Sequence, residues 1–160
     1  MVISDDVIQI KIPDEIIDIF YEHIQWTKRH CESGGIIIGR ENLNDDNIIL
    51  EKVTKPMKRD YRSPIKYIRK DKGHIDFYKT LYNNSHGIYA YFGEWHTHPQ
   101  DKPLYSLVDL TTWRKISKES PKRMQYHIIV GRKYITFWKM EKNKYLPKLI
   151  KEVTWNEKKL

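Results

Sequence analysis

Hydrophobic positions along this chain recur at two spacings. After Pro13-Asp14-Glu15, the residues Ile16, Ile17, Phe20 and Ile24 repeat at helical spacing. Proline is tolerated in a first turn and acids suit the N-terminal dipole, so the pattern predicts a helix from there to near Arg29 or His30. Gly34-Gly35 breaks it, and the apolar run Gly35-Ile36-Ile37-Ile38-Gly39 predicts a short buried strand. Residues 42–47 predict a turn, and residues 48–54 alternate as a second strand. Residues 55–72, with Pro56 and Pro64, predict a loop and then a short strand around 65–69. Residues 73–84 predict a helix with Ile75, Phe77, Tyr78, Leu81 and Tyr82 as its apolar contacts. Residues 88–98 predict a central strand ended by Pro99, and Ser106-x-x-Asp109 opens a helix running to about Lys118. Residues 124–130 and 134–140 flank Gly131-Arg132 as a hairpin, and residues 145–153 add a last strand or helix. Strands and helices alternate, which predicts an α/β or α+β class with one sheet.

Composition narrows the picture. The 160 residues suit one domain with a sizeable core, and 39% hydrophobic with 12% aromatic residues argues against disorder. No apolar run approaches the roughly 20 residues that span a bilayer. The first ten residues lack the basic region and long apolar core of a signal peptide. Cys31 is the lone cysteine, so no internal disulfide forms, which fits a reducing, cytoplasmic location. The net charge of +8 is uneven. Residues 55–72 hold eight Lys/Arg against two Asp, residues 139–160 hold seven Lys against three Glu, and residues 1–22 hold one Lys against six acids. A basic face attracts nucleic acid, a membrane surface or an acidic protein, or simply keeps the protein soluble; charge alone names no partner.

The candidate chemistry lies in Gly93-Glu94-Trp95-His96-Thr97-His98-Pro99, followed by Ser106 and Asp109. Histidines at i and i+2 of a strand leave the same face. A carboxylate follows eleven positions after His98, beside a helix start. Two neutral imidazoles and a carboxylate form a ligand set for catalytic zinc, with the fourth tetrahedral position left for water. Such a metal lowers the pKa of that water to about 7. Ser-x-x-Asp also reads as a helix cap, and both readings hold together if the cap aims Asp109 at the histidines. Ser106 then stands near the metal as a donor to a developing oxyanion. Trp95 alternates with the histidines and is expected on the opposite sheet face; Trp113 reads as core and Cys31 as a structural thiol. His23, His30, His74, His86 and His127 show no ligand spacing of their own.

These residues carry a resemblance. His96-Thr97-His98, then Ser106 after seven intervening residues and Asp109 after two more, match the JAMM motif of the JAB1/MPN/Mov34 metalloprotease superfamily. The family's upstream glutamate falls on Glu32, in Cys31-Glu32-Ser33-Gly34-Gly35-Ile36-Ile37-Ile38-Gly39. The resemblance covers residues 13 to about 140. It implies one MPN/JAB-like domain over residues 1–160, a central mixed sheet flanked by helices in a cytidine-deaminase-like arrangement. It implies one Zn2+ held by His96, His98 and Asp109, with Glu32 taking a proton from the attacking water and later giving it to the leaving amine, and Ser106 as oxyanion partner. Glu94, two before His96 on the same face, is the rival for the base.

The implied activity is that of a deubiquitinase-like isopeptidase or peptidase cutting the amide after a protein C-terminal tail. The phrases around Glu32 and His96, with Trp113, most resemble the bacterial JAB isopeptidase of CBASS anti-phage operons. That protein removes a cGAS/DncV-like nucleotidyltransferase from conjugates made by a ubiquitin-like conjugation enzyme. The implied partners are a substrate with such a C-terminal tail and the conjugation enzymes of the same operon, with no membrane and no nucleic acid. Segment 55–72 is where a basic insert, through Arg59, Arg62 and Lys66, would steer an acidic protein surface. The competing readings are a JAB peptidase trimming a ubiquitin-like or sulfur-carrier precursor, a metal-free MPN binding scaffold, and a basic nucleic-acid-binding module.

Overall fold

A computed structural model of the chain describes residues 1–6 and 8–156; the last part of the C-terminal basic run, 157–160, falls outside the described residues. The first two elements, β1 (Val2–Asp5) and β2 (Ile8–Lys11), pair antiparallel and were not expected from the pattern. They are too short for a convincing period-2 signal. Helix α1 (Asp14–Glu22) follows, with Ile16, Ile17 and Phe20 buried. It ends earlier than the expected Arg29 or His30. The backbone N–H of His23 turns back to the carbonyls of Phe20 and Tyr21, and Ile24 reaches the core from beyond the helix.

Then come β3 (Gly34–Glu41), β4 (Ile48–Val53), a hairpin of β5 (Tyr61–Ser63) and β6 (Lys66–Ile68), and α2 (Gly73–Asn84). Next are β7 (Ala90–Thr97), α3 (Leu107–Glu119), β8 (Met124–Val130), β9 (Tyr134–Glu141) and β10 (Lys148–Thr154). One mixed eight-stranded sheet runs in the order β1-β2-β4-β3-β7-β8-β9-β10, with β5 and β6 forming a separate small ribbon. Neighbours are antiparallel except β2 with β4 and β7 with β8. The three helices and central mixed sheet are the α/β arrangement expected.

Alternation on β8 and β9 sorts residues between the faces. Tyr126, Ile128, Val130, Ile135 and Phe137 join α1 in the main core. Ile129, Trp138 and Met140 pack with Trp113 of α3 in a second cluster. Helix α2 departs from expectation. Its one buried residue is His74, while Phe77 and Tyr82 are exposed and the remaining apolar residues are only partly covered. His74 accounts for the seating of this helix. Its Nε2 lies 2.8 Å from Asp60 Oδ2, and its Nδ1 meets the Thr54 hydroxyl at the end of β4. No helix of the described residues is long and apolar enough to cross a membrane.

Candidate metal centre

The site is built where β7 ends. A register shift between Ile37 and Ile38 of β3 falls opposite Gly93 and Tyr91, so Phe92 is the extra residue of a bulge. Bulges re-aim the side chains that follow them. Here Phe92 and Trp95 both enter the main core, while Glu94, His96 and His98 line clefts on the other face. Gly93 allows this because a Cβ at that position would run into the Tyr126 carbonyl of β8. Thr97, between the two histidines, points back into the fold. Its N–H donates to Ser33 O at 2.8 Å, its hydroxyl accepts from Ser33 N at 2.9 Å and donates to Gln25 Oε1 at 3.0 Å. His98 is fixed by its own N–H on Val130 O at 3.0 Å.

Asp109 is placed by the capping box expected of Ser-x-x-Asp. The Ser106 hydroxyl accepts from Asp109 N at 3.2 Å, and Asp109 Oδ2 accepts from Ser106 N at 2.6 Å and from its hydroxyl at 2.8 Å. One turn on, Trp113 stacks on His127 with centroids 4.4 Å apart and 7° between planes, which seats the start of α3 on the sheet.

The three candidate ligands therefore converge. His96 Nε2 and His98 Nε2 lie 3.0 Å apart, His96 Nε2 is 3.2 Å from Asp109 Oδ1, and His98 Nε2 is 3.4 Å from Asp109 Oδ2. All three are mostly buried, and the donor atoms fall within 4.8 Å of one another. A tetrahedron with metal–ligand bonds of about 2.0–2.1 Å has edges of about 3.3 Å. The donor set and its spacing thus fit a zinc-sized ion. Burial alone would push the Asp109 carboxyl up, but the His96 charge, hydrogen bonds from both imidazoles and the Ser106 N–H outweigh it and hold Asp109 well below the usual carboxylate range.

Glu32 faces the same place from the loop before β3. With His98, Ser106, Asp109 and Tyr67 it lines a cavity of about 330 Å3. Burial pushes its carboxyl up to about 7, against the pull of the His98 charge and a hydrogen bond from the Tyr67 backbone. The rival Glu94 is committed elsewhere: its Oε1 takes Arg69 Nε at 2.7 Å and the Tyr91 hydroxyl at 3.2 Å.

Trp95 is fully buried as expected, its Nε1 donating to Thr54 O at 2.9 Å. Cys31 is a half-buried free thiol. Three residues that matter to this geometry carried no motif: Gln25, Asp60 and Arg62. Gln25 spends its amide on three segments, donating to His30 O and Pro64 O while accepting from Thr97. Asp60 is an acid within a basic run, and Arg62 is by sequence one more cation of that run.

The family model described as prokaryotic homologs of the JAB domain matches residues 13–141. Proteins named CD-NTase/cGAS isopeptidase from Pseudomonas aeruginosa, Escherichia coli and Vibrio cholerae are each 32% identical to this chain. The matches cover 72%, 82% and 76% of it and 73%, 82% and 74% of those proteins. The solution structure of a protein from Desulfitobacterium hafniense superimposes with a TM-score of 0.58 at 15% identity over 88% of each chain, a likeness of fold alone.

Proposed function

The chain belongs to the prokaryotic JAB-domain family, and from that premise we propose that it is a zinc-dependent isopeptidase acting in the bacterial cytoplasm. Its substrate is a conjugate in which a cGAS/DncV-like nucleotidyltransferase is joined through its C-terminal tail to an amine, and its setting is anti-phage defence. The observation that carries the reading is the single cavity onto which Glu32, His98, Ser106 and Asp109 open, beside His96. The names of the three relatives supply the substrate class.

His96, His98 and Asp109 are the residues that would hold zinc. When bound, zinc supplies Lewis acidity that brings the deprotonation of water down to about pH 7. Glu32 then takes a proton from the attacking water and returns it to the leaving amine as the C–N bond breaks. Its carboxyl faces the cavity shared with His98, Ser106 and Asp109, where it can carry the proton in both directions. Ser106 offers its hydroxyl proton, held by Asp109 Oδ2 in this arrangement, to the charge that develops on the carbonyl oxygen. Arg69 keeps Glu94 out of this proton path.

Elemental analysis of protein purified without chelator, alongside Asp109→Ala and Glu32→Gln, tests the reading. About one zinc per wild-type chain is expected, lost in Asp109→Ala and kept in Glu32→Gln. Glu32→Gln is expected to lose at least about 100-fold in kcat on an isopeptide-linked tail substrate. Absence of zinc even after reconstitution, or undiminished turnover in Glu32→Gln, defeats it.

A further inference from the structure

The loop that carries Glu32, residues 31–33, has no regular secondary structure of its own. What holds it comes from elsewhere in the chain. The Thr97 contacts fix Ser33 from behind, and Glu32 N donates to Ser63 O of β5 at 2.8 Å. The Tyr67 backbone also hydrogen-bonds the Glu32 carboxyl, and three more ties come from one side chain. Arg62 Nε donates to Glu32 O at 2.7 Å, and Arg62 Nη2 donates to Ser33 Oγ at 2.6 Å and to Cys31 O at 3.4 Å. An arginine in a basic, exposed segment thus turns its guanidinium inward, onto neutral acceptors of three consecutive residues centred on Glu32.

A charged donor on a neutral acceptor is among the stronger hydrogen bonds, and the planar fork addresses neighbouring acceptors at once, which an ammonium cannot do. With Ser33 tied to Thr97, the same guanidinium connects the β5–β6 ribbon, the Glu32 loop and the end of β7, where Thr97 stands between the two histidines. The geometry points to Arg62 as a positioning residue for the hydrolysis: it holds loop 31–33 so that the Glu32 carboxyl faces the cavity shared with His98 and Asp109. This rests on the reading of Glu32 as the proton carrier. It also separates Arg62 from Arg59 and Lys66, with which the charge pattern had grouped it. A docking cation changes association with substrate, whereas a positioning cation changes the chemical step.

The test compares zinc-loaded wild type, Arg62→Ala, Arg62→Lys and Glu32→Gln on a reporter, a nucleotidyltransferase C-terminal peptide joined to a lysine ε-amine. Arg62→Ala is expected to lose about 10- to 100-fold in kcat with KM within about 2-fold of wild type. Arg62→Lys is expected to recover little of this. Millimolar guanidinium is expected to restore part of the Arg62→Ala rate and none of the Glu32→Gln rate. In zinc-free protein, amide hydrogens at residues 32 and 33 are expected to exchange faster in Arg62→Ala, a readout independent of turnover.

A kcat near wild type in Arg62→Ala overturns the assignment. So does a loss that lies wholly in KM and fades with salt, which makes Arg62 a docking cation. A loss that tracks general unfolding and ignores guanidinium makes it structural only. Undiminished turnover in Glu32→Gln, or a reporter left uncut by wild type, overturns the reading of Glu32 itself; amide exchange then still reports whether Arg62 holds the loop.

Discussion

Glu32 is the residue at which function and stability pull in opposite directions. Its carboxyl ordinarily titrates near 4.5, and in the fold it is raised to about 7 by burial. A raised folded value means that the fold prefers the protonated form. The contribution to stability is whole below the unfolded value and is lost as pH rises through the folded one. Zinc-free Glu32→Gln, which cannot ionise, is therefore expected to be more stable than zinc-free wild type at pH 8, by on the order of 2–3 kcal/mol, and nearly equal at pH 4. Paired thermal melts at the two pH values check this; equal melting points at pH 8 would refute the burial account. His96, His98, Ser106 and Asp109 were legible because their chemistry travels with short spacings along the chain. Gln25 and Arg62 were not, because their meaning lies in carbonyl groups of residues far off in sequence, and backbone acceptors leave no trace in residue identity.

The β5–β6 ribbon shows the same limit for an element. Periodicity located a short strand near residues 65–69 but no partner for it, since strands of three residues carry too few alternations to register. What fastens the ribbon is Asp60. Its Oδ2 accepts from Met57 N, the Tyr67 hydroxyl and His74, and its Oδ1 accepts from Lys70 N and Asp71 N. These hydrogen bonds overcome the cost of burial and hold its carboxyl well below the usual range. A depressed carboxyl contributes stability that is present above its unfolded value and lost as pH falls through the folded one. Asp60→Ala is expected to destabilise by about 2–4 kcal/mol at pH 7, because it strands buried donors, and by less at low pH. Urea titrations at pH 7 and pH 3 check the sign; a loss that grew on acidification would contradict it. The bulge at Phe92 was equally invisible, although Gly93 within an otherwise apolar strand is the kind of residue that marks one.

Across the whole molecule, part of the uneven charge is met within the fold. The acidic N-terminal stretch and the basic C-terminal one meet, because β1 and β10, the two edges of the sheet order, lie close together. Lys139 Nζ reaches Asp5 Oδ1 and Lys148 Nζ reaches Asp6 Oδ2, each at 2.6 Å. The Asp6 pair is exposed and worth little. Asp5 is buried and also accepts from the Tyr126 hydroxyl at 3.3 Å. Removing one partner of a buried pair leaves the other charge uncompensated, so Asp5→Ala is expected to cost about 3 kcal/mol, while Asp6→Ala is expected to leave stability nearly unchanged. Chemical denaturation of the two variants side by side checks this, and equal costs would mean that the pairing at Asp5 is not buried in solution. The ties between Ser33 and Thr97 span 64 residues and those between Arg62 and Ser33 span 29. Contacts so distant in sequence are late rewards in folding, since their loops must close first. A ribosome adds about 5–20 residues per second, and the centre needs Asp109 and the strand that receives His98 N–H at Val130. A chain still being synthesised thus carries its histidines for some seconds before the strand that completes the centre follows them.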